Sequence, residues 1–130
     1  MKKVGLGALV VIGTLGIGSA AFAGSKWAGD VNVNLTTRVV MANLGSARNS
    51  ADSMQHVGCD VIAQKGSATL AFCYARDAAG VSMSCTTTSP AFVARARSLA
   101  SATLLNLFWD ASGACTALAV ENYSVYEPML

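Results

Sequence analysis

Alternation and turn chemistry organise most of this chain. Val31, Val33 and Leu35 alternate with Asn32 and Asn34, which predicts one strand in an otherwise polar, small-residue segment over 24–53. Residues 44–53 read as a loop. From residue 54 the pattern sharpens. Strands are predicted over 54–62, 68–77 and 81–86, separated by turns at 64–67 and 78–80. Ser89 can cap a helix whose first residue is Pro90, where a missing N–H costs nothing. That helix is expected to run to about residue 101. At about 100° per residue, Phe92, Val93, Ala96, Leu99 and Ala100 share one arc, with Arg95 and Arg97 at its rims as solvated flanks. Two further strands, 103–109 and 114–121, flank a turn at 110–113. The tail over 122–130 holds Tyr123, Tyr126 and Pro128 and reads as an edge strand or a packed loop. The order β-β-β-α-β-β predicts an α+β domain: an antiparallel sheet of about five strands with one helix on one face.

The turns also set a register. A hairpin centred on Gly66 places Cys59 opposite Cys73, Val61 opposite Ala71 and Val57 opposite Ala75. A second, centred on Ala79, places Cys73 opposite Cys85 and Met83 opposite Ala75. A third, centred on Ser112, places Cys115 opposite Trp109 and Ala117 opposite Leu107. Side chains alternate along a strand, so Val57, Cys59, Val61, Ala71, Cys73, Ala75, Met83 and Cys85 collect on one face. Leu105, Leu107, Trp109, Cys115 and Ala117 form the matching set in the last hairpin. Together they are expected to be the buried side, with the helix upon it.

Composition changes the picture at the start of the chain. The sequence has 130 residues, 53% hydrophobic and 12% charged, which suits one folded domain and excludes a disordered tail. Lys2 and Lys3 precede an apolar run over 4–17, and small residues then lead to Ala21-Phe22-Ala23. This is the layout of a secretory signal peptide over 1–23. The run is short and rich in glycine for a membrane-spanning helix, which is the alternative reading. No cysteine stands at the cleavage site, which argues against lipoprotein processing. Removing the leader leaves seven basic and seven acidic side chains. A near-neutral mature chain argues against a nucleic-acid grip by phosphate neutralisation. No other apolar run is long enough for stable membrane insertion after cleavage. The expected organisation is thus a leader over 1–23, a polar segment with one possible strand over 24–53 and a disulfide-stapled domain over 54–130, in the periplasm or outside the cell.

Cys59, Cys73, Cys85 and Cys115 all lie in the mature part. An even count in a small exported chain predicts two disulfides. Three connectivities are open, which sequence alone does not decide; Cys59–Cys73 with Cys85–Cys115 is the preferred one. Without a C-x-x-C pair, and with His56 as the only histidine, neither a zinc site nor a redox pair is expected. No cofactor motif is present: the mature chain has no P-loop, no dinucleotide-binding glycine motif and no calcium loop.

The outward face of the first three strands then holds His56, Gly58, Asp60, Phe72, Tyr74, Arg76, Ser82 and Ser84. Tyr74, opposite Gly58, is expected to cover its bare backbone. Antiparallel sheets commonly leave one face in water, so the pattern favours an ordinary solvated face with Arg76 and Asp77 in local ion pairs. The functional alternative is a ligand platform in which Phe72 and Tyr74 stack and Arg76, Asp60 and His56 read polar groups. No catalytic set is assigned. His56 lacks a positioned nucleophile, and no G-x-S-x-G occurs. Carboxylate pairs could be drawn from Asp60 with Asp77 or from Asp110 with Glu121, but the register sends Asp60 and Asp77 to opposite faces.

Several runs carry a resemblance: Asn49-Ser50-Ala51-Asp52-Ser53, Gly58-Cys59, Cys73-Tyr74-Ala75-Arg76-Asp77, Ser84-Cys85, and Trp109 with Gly113 and Cys115-Thr116. Over about residues 48–127 the chain resembles a group of small exported bacterial proteins that share four cysteines and a C-Y-A-R-D stretch. The resemblance implies a common disulfide-stapled fold and supplies no function or catalytic residue. The expected role is a secreted or periplasmic, non-enzymatic binding module for an envelope, glycan or protein ligand. The alternatives are a small secreted hydrolase using His56 and Asp60, and a membrane-active toxin or effector.

Overall fold

The computed structural model describes residues 27–130, and the expected leader over 1–23 lies outside them. Nine elements follow one another: β1 (Asn32–Asn34), β2 (Val39–Asn43), α1 (Leu44–Asn49), β3 (His56–Ile62), β4 (Leu70–Arg76), β5 (Ser82–Thr87), α2 (Pro90–Arg97), β6 (Thr103–Trp109) and β7 (Cys115–Asn122). They build two antiparallel sheets, β1-β2-β6-β7 and β3-β4-β5. The expected α+β arrangement, one sheet of about five strands under one helix, is therefore wrong. The described chain is mostly β, with 44% strand and 13% helix.

The error has a local cause. Residues 39–42 are Val-Val-Met-Ala, a continuous apolar run without the alternation that marks a half-exposed strand. They form β2, with Val40 and Ala42 fully buried and Met41 outward. β2 takes β6 as its partner, pairing Val40 with Leu107 and Ala42 with Leu105. That draws the last hairpin into a sheet with the N-terminal strands and away from β3-β4-β5. The polar segment over 24–53 thus supplies Val31, Val33, Val40, Ala42 and Ala47 to the common core.

The expected loop over 44–53 is half helix. Asn43, fully buried, accepts the Ser46 N–H on its side-chain oxygen at 2.8 Å and caps α1. Six residues are too few to show a helical period, so only the cap announces this helix. The tail over 123–130 adds no strand to either sheet and lies against α1. Asn49 Nδ2 donates to Glu127 Oε1 at 3.1 Å and to the Pro128 carbonyl at 2.9 Å, while its oxygen accepts the Leu130 N–H at 3.1 Å. The Trp27 N–H donates to the Val125 carbonyl at 2.8 Å, and the rings of Trp27 and Tyr126 meet edge to face.

Within the hairpins the register is as read. Cys59 faces Cys73, Val57 faces Ala75, Cys73 faces Cys85 and Met83 faces Ala75. Ala71, Cys73, Ala75, Met83 and Cys85 are buried, and Val57, Cys59 and Val61 pack partly against them. The third hairpin departs at one point. A bulge between Phe108 and Trp109 keeps Trp109 opposite Cys115 but sets Ala117 opposite Phe108, and Leu118 opposite Leu107. Ala117 is exposed in consequence, and Leu118 packs against the core in its place. Helix α2 buries Phe92, Val93 and Ala96 as its arc predicts. It stops at Arg97, short of residue 101, where the Ser98 N–H and hydroxyl both donate to the Arg95 carbonyl. Leu99 still packs on the core from the turn beyond, and Ala100 is exposed.

Two disulfides, Cys59–Cys73 and Cys85–Cys115, complete the fold with the favoured connectivity. The first spans β3 and β4. The second joins β5 to β7, one sheet to the other, beside a bond from the Thr86 N–H to the Gly113 carbonyl at 3.1 Å. The bridged cysteines are 14 and 30 residues apart. Loop-closure entropy then gives about 3 kcal/mol for the first bridge and about 4 for the second. Replacing Cys85 and Cys115 together by alanine should therefore lower unfolding free energy more than replacing Cys59 and Cys73. Denaturant titration measures both, and equal stability of the oxidised and reduced protein contradicts a stapling role.

A second test concerns Gly45 in α1. A side-chain carbon there would collide with the backbone carbonyl of Glu127. Gly45→Ala, which stabilises an ordinary helix by about 1 kcal/mol, should here cost about 1–3 kcal/mol by overpacking. Amide exchange over 125–130 should rise with it.

Candidate functional site

All five sequence candidates stand on the outward face of β3-β4-β5. Cross-strand pairing arranges them in three rows: His56, Arg76 and Ser82; Gly58, Tyr74 and Ser84; Asp60, Phe72 and Thr86. The second half of β4 and its exit carry the C-Y-A-R-D run, so Tyr74 and Arg76 point outward while Cys73 and Ala75 point into the core. Phe72, Tyr74 and Arg76 are half-buried; His56, Asp60, Ser82, Ser84 and Thr86 are exposed.

The expectation that Tyr74 covers Gly58 is not met. The Tyr74 ring turns along the diagonal and stacks on His56, with centroids 4.6 Å apart and planes inclined by 15°. Gly58 is left bare, and the position of its absent Cβ has nothing within 4 Å. A shallow depression of about 300 Å³ opens there, bounded by His56, Tyr74, Phe72 and Asp60.

The His56 ring is held from below as well as by the stack. Its Nδ1 lies 3.1 Å from the Met54 carbonyl, which can only accept, so Nδ1 carries the proton in this contact. Met54 is in turn fixed by Asp52, whose Oδ1 accepts the N–H groups of Met54 and Gln55 at 2.7 and 2.8 Å. Oδ2 of the same carboxylate accepts from Gln55 Nε2 at 2.7 Å, and Gln55 Oε1 accepts the Val31 N–H at 2.8 Å. The side-chain bond from Gln55, then the two backbone bonds, pull the Asp52 carboxyl from 3.8 down to about 2.

Arg76 stands beside His56 and reaches over the β4–β5 turn, its Nη2 3.6 Å from where a Gly80 side chain would begin. Its buried Nε has no hydrogen-bond partner. The neighbouring Asp77 carboxylate closes the turn by accepting the Val81 N–H at 2.9 Å.

Other chemistry is not assembled around these residues. His56 and Asp60 are four positions apart on one strand, about 13 Å at ~3.3 Å per residue, and do not touch. Asp110 accepts from the Ser112 hydroxyl and from the N–H groups of Ser112 and Ala114, with its carboxyl lowered chiefly by the Ser112 hydroxyl. Glu121, at the other end of that hairpin, accepts from the Tyr126 hydroxyl. Among the described residues no group of three or more His, Cys, Asp or Glu is placed to hold a metal. None of the described helices is long and apolar enough to cross a membrane.

The structure adds a cleft of about 540 Å³ that sequence reading missed, lined by Trp27, Val125, Tyr126, Pro128 and Leu130. Its walls come from the two extremes of the described chain, which no local pattern relates. The aromatic residues of the tail were the only signal. Comparison of the chain with protein-family models, with curated proteins and with solved structures found no match.

Asp52 offers a direct test of how His56 is positioned. Its folded value lies below the unfolded one, so its contribution to stability is full above the ordinary 3.8 and is lost as pH falls through about 2. The Met54 and Gln55 amide resonances should titrate with a midpoint near 2, and Asp52→Asn should abolish that transition. A midpoint near 3.8 contradicts the turn.

Proposed function

We propose that this protein is an exported, non-enzymatic binding module whose ligand lies on the outward face of β3-β4-β5. One observation carries this reading: a strand glycine kept bare beside a stacked pair of rings. Glycine inside a strand costs about 0.5–1 kcal/mol relative to alanine. Gly58 has no positive φ to justify it, and a methyl group would meet open space. The fold gains nothing from glycine here, whereas a ligand gains clearance to the sheet.

Export is supported by the two disulfides, which persist in oxidising compartments, and by the leader expected over 1–23. Chemistry on a substrate would require a nucleophile or acid–base pair near His56, and Asp60 is too far along the strand to provide it.

A binding screen against envelope fractions, glycans and peptides tests the platform. The oxidised protein should retain a ligand that Tyr74→Ala weakens by about tenfold or more, as the loss of one stacking surface implies. Arg76→Ala should weaken it less. Equal retention by all three proteins removes this face from consideration.

A further inference from the structure

We infer that the ligand of the platform is a neutral glycan of pyranose units with equatorial hydroxyls, one ring of which sits over Gly58. This rests on the platform reading above and adds the chemical class of its occupant.

Size comes first. The depression of about 300 Å³ lies at the small end of ligand sites, suited to one six-membered ring of a longer chain. Its lining joins apolar rings to polar groups. Phe72 and Tyr74 stand two residues apart on the central strand, about 6.7 Å along it, and offer apolar surface. An equatorially substituted pyranose presents a flat layer of C–H bonds to such surface. Ser82, Ser84 and Thr86 form an exposed row of hydroxyls along β5, on the far side of the central strand from the depression, where neighbouring units of a longer chain would lie. Each hydroxyl both donates and accepts, as the hydroxyls of a sugar do. Within the depression itself His56 and the Asp60 carboxylate supply polar groups.

Charge narrows the class further. The face carries one cation and one anion, Arg76 and Asp60, in rows at opposite ends about 13 Å apart. Neither sign is concentrated, so nothing here holds a polyanion by phosphate or sulfate neutralisation. A peptide would use pockets for alternate side chains along a free strand edge, whereas the depression lies on the sheet face.

Nuclear magnetic resonance titration of the oxidised protein tests the assignment, with cellotetraose and N-acetylchitotetraose as β-linked probes and maltotetraose as the α-linked comparison. At least one β-linked probe should give saturable shifts confined to 56–60, 72–76 and 82–86, and bind about tenfold or more tightly than maltotetraose. Gly58→Val fills the depression with a residue that strands favour. It should keep the parent melting temperature and weaken that binding by about tenfold or more. Absence of saturable shifts with both β-linked probes up to about 10 mM overturns the glycan inference. A peptide or other envelope ligand lost in Tyr74→Ala then still upholds the platform. Sugar binding that survives unchanged in both Gly58→Val and Tyr74→Ala overturns the two together.

Discussion

The inner face of β3-β4-β5 relies heavily on small side chains, alanine and cysteine, beside Val57, Val61 and Met83, so its apolar area is modest. The covalent bond from Cys85 to Cys115 reinforces its attachment to the larger sheet through the common core. Ala71, Cys73, Ala75 and Cys85 are almost fully buried, but their side chains are small. Of the bulkier buried residues Met83 belongs to this sheet, whereas Leu105, Leu107, Val40 and Phe92 come from the other sheet and from α2. Short side chains on one layer let the opposing layer approach closely, at the expense of transferable hydrophobic area. The disulfide compensates by restricting the unfolded chain, and the bond from Thr86 to Gly113 fixes the same junction in the backbone. The outward face of β3-β4-β5 inherits its orientation from this junction.

What the sequence made legible follows the range of each interaction. The hairpins were readable because their glycines are obligatory: Gly66, Gly80 and Gly113 all have positive φ, which fixes each turn and through it the pairing of the strands on either side. Register in turn set out the rows of the candidate site, but it placed Cys73 opposite both Cys59 and Cys85 and so left the disulfide connectivity open. The assembly of the hairpins into sheets was not readable. It depended on β2, a run apolar at successive positions, choosing β6 across more than sixty residues. Helix α1 was hidden for a related reason. Its stability comes from the buried Asn43 cap and from Glu127 and Pro128 at the far end of the chain, while its own six residues, with Gly45 and Ser46 among them, have little helical preference.

The site shows the same division at finer scale. Alternation placed Tyr74 and Gly58 side by side, and it did so correctly. The direction of the Tyr74 ring was decided by a competitor that pairing alone does not weigh. His56 is anchored at Nδ1 by the Met54 carbonyl, so its ring stands ready to be stacked upon, whereas Gly58 offers only backbone. The anchoring begins at Asp52, in a segment that reads as loop, and it turns an exposed imidazole into a fixed wall of the depression.

The Cys59–Cys73 bridge has a bearing on recognition that its position makes plain. It joins the residues immediately following Gly58 and immediately preceding Tyr74, and it lies on the reverse side of the same two strands. The surface is thereby stiffened from behind. Disorder of these strands is surrendered when the thiols oxidise, so little remains to be surrendered when a partner arrives. A reducing medium would loosen this face from the back before it disturbed any residue in contact with solvent.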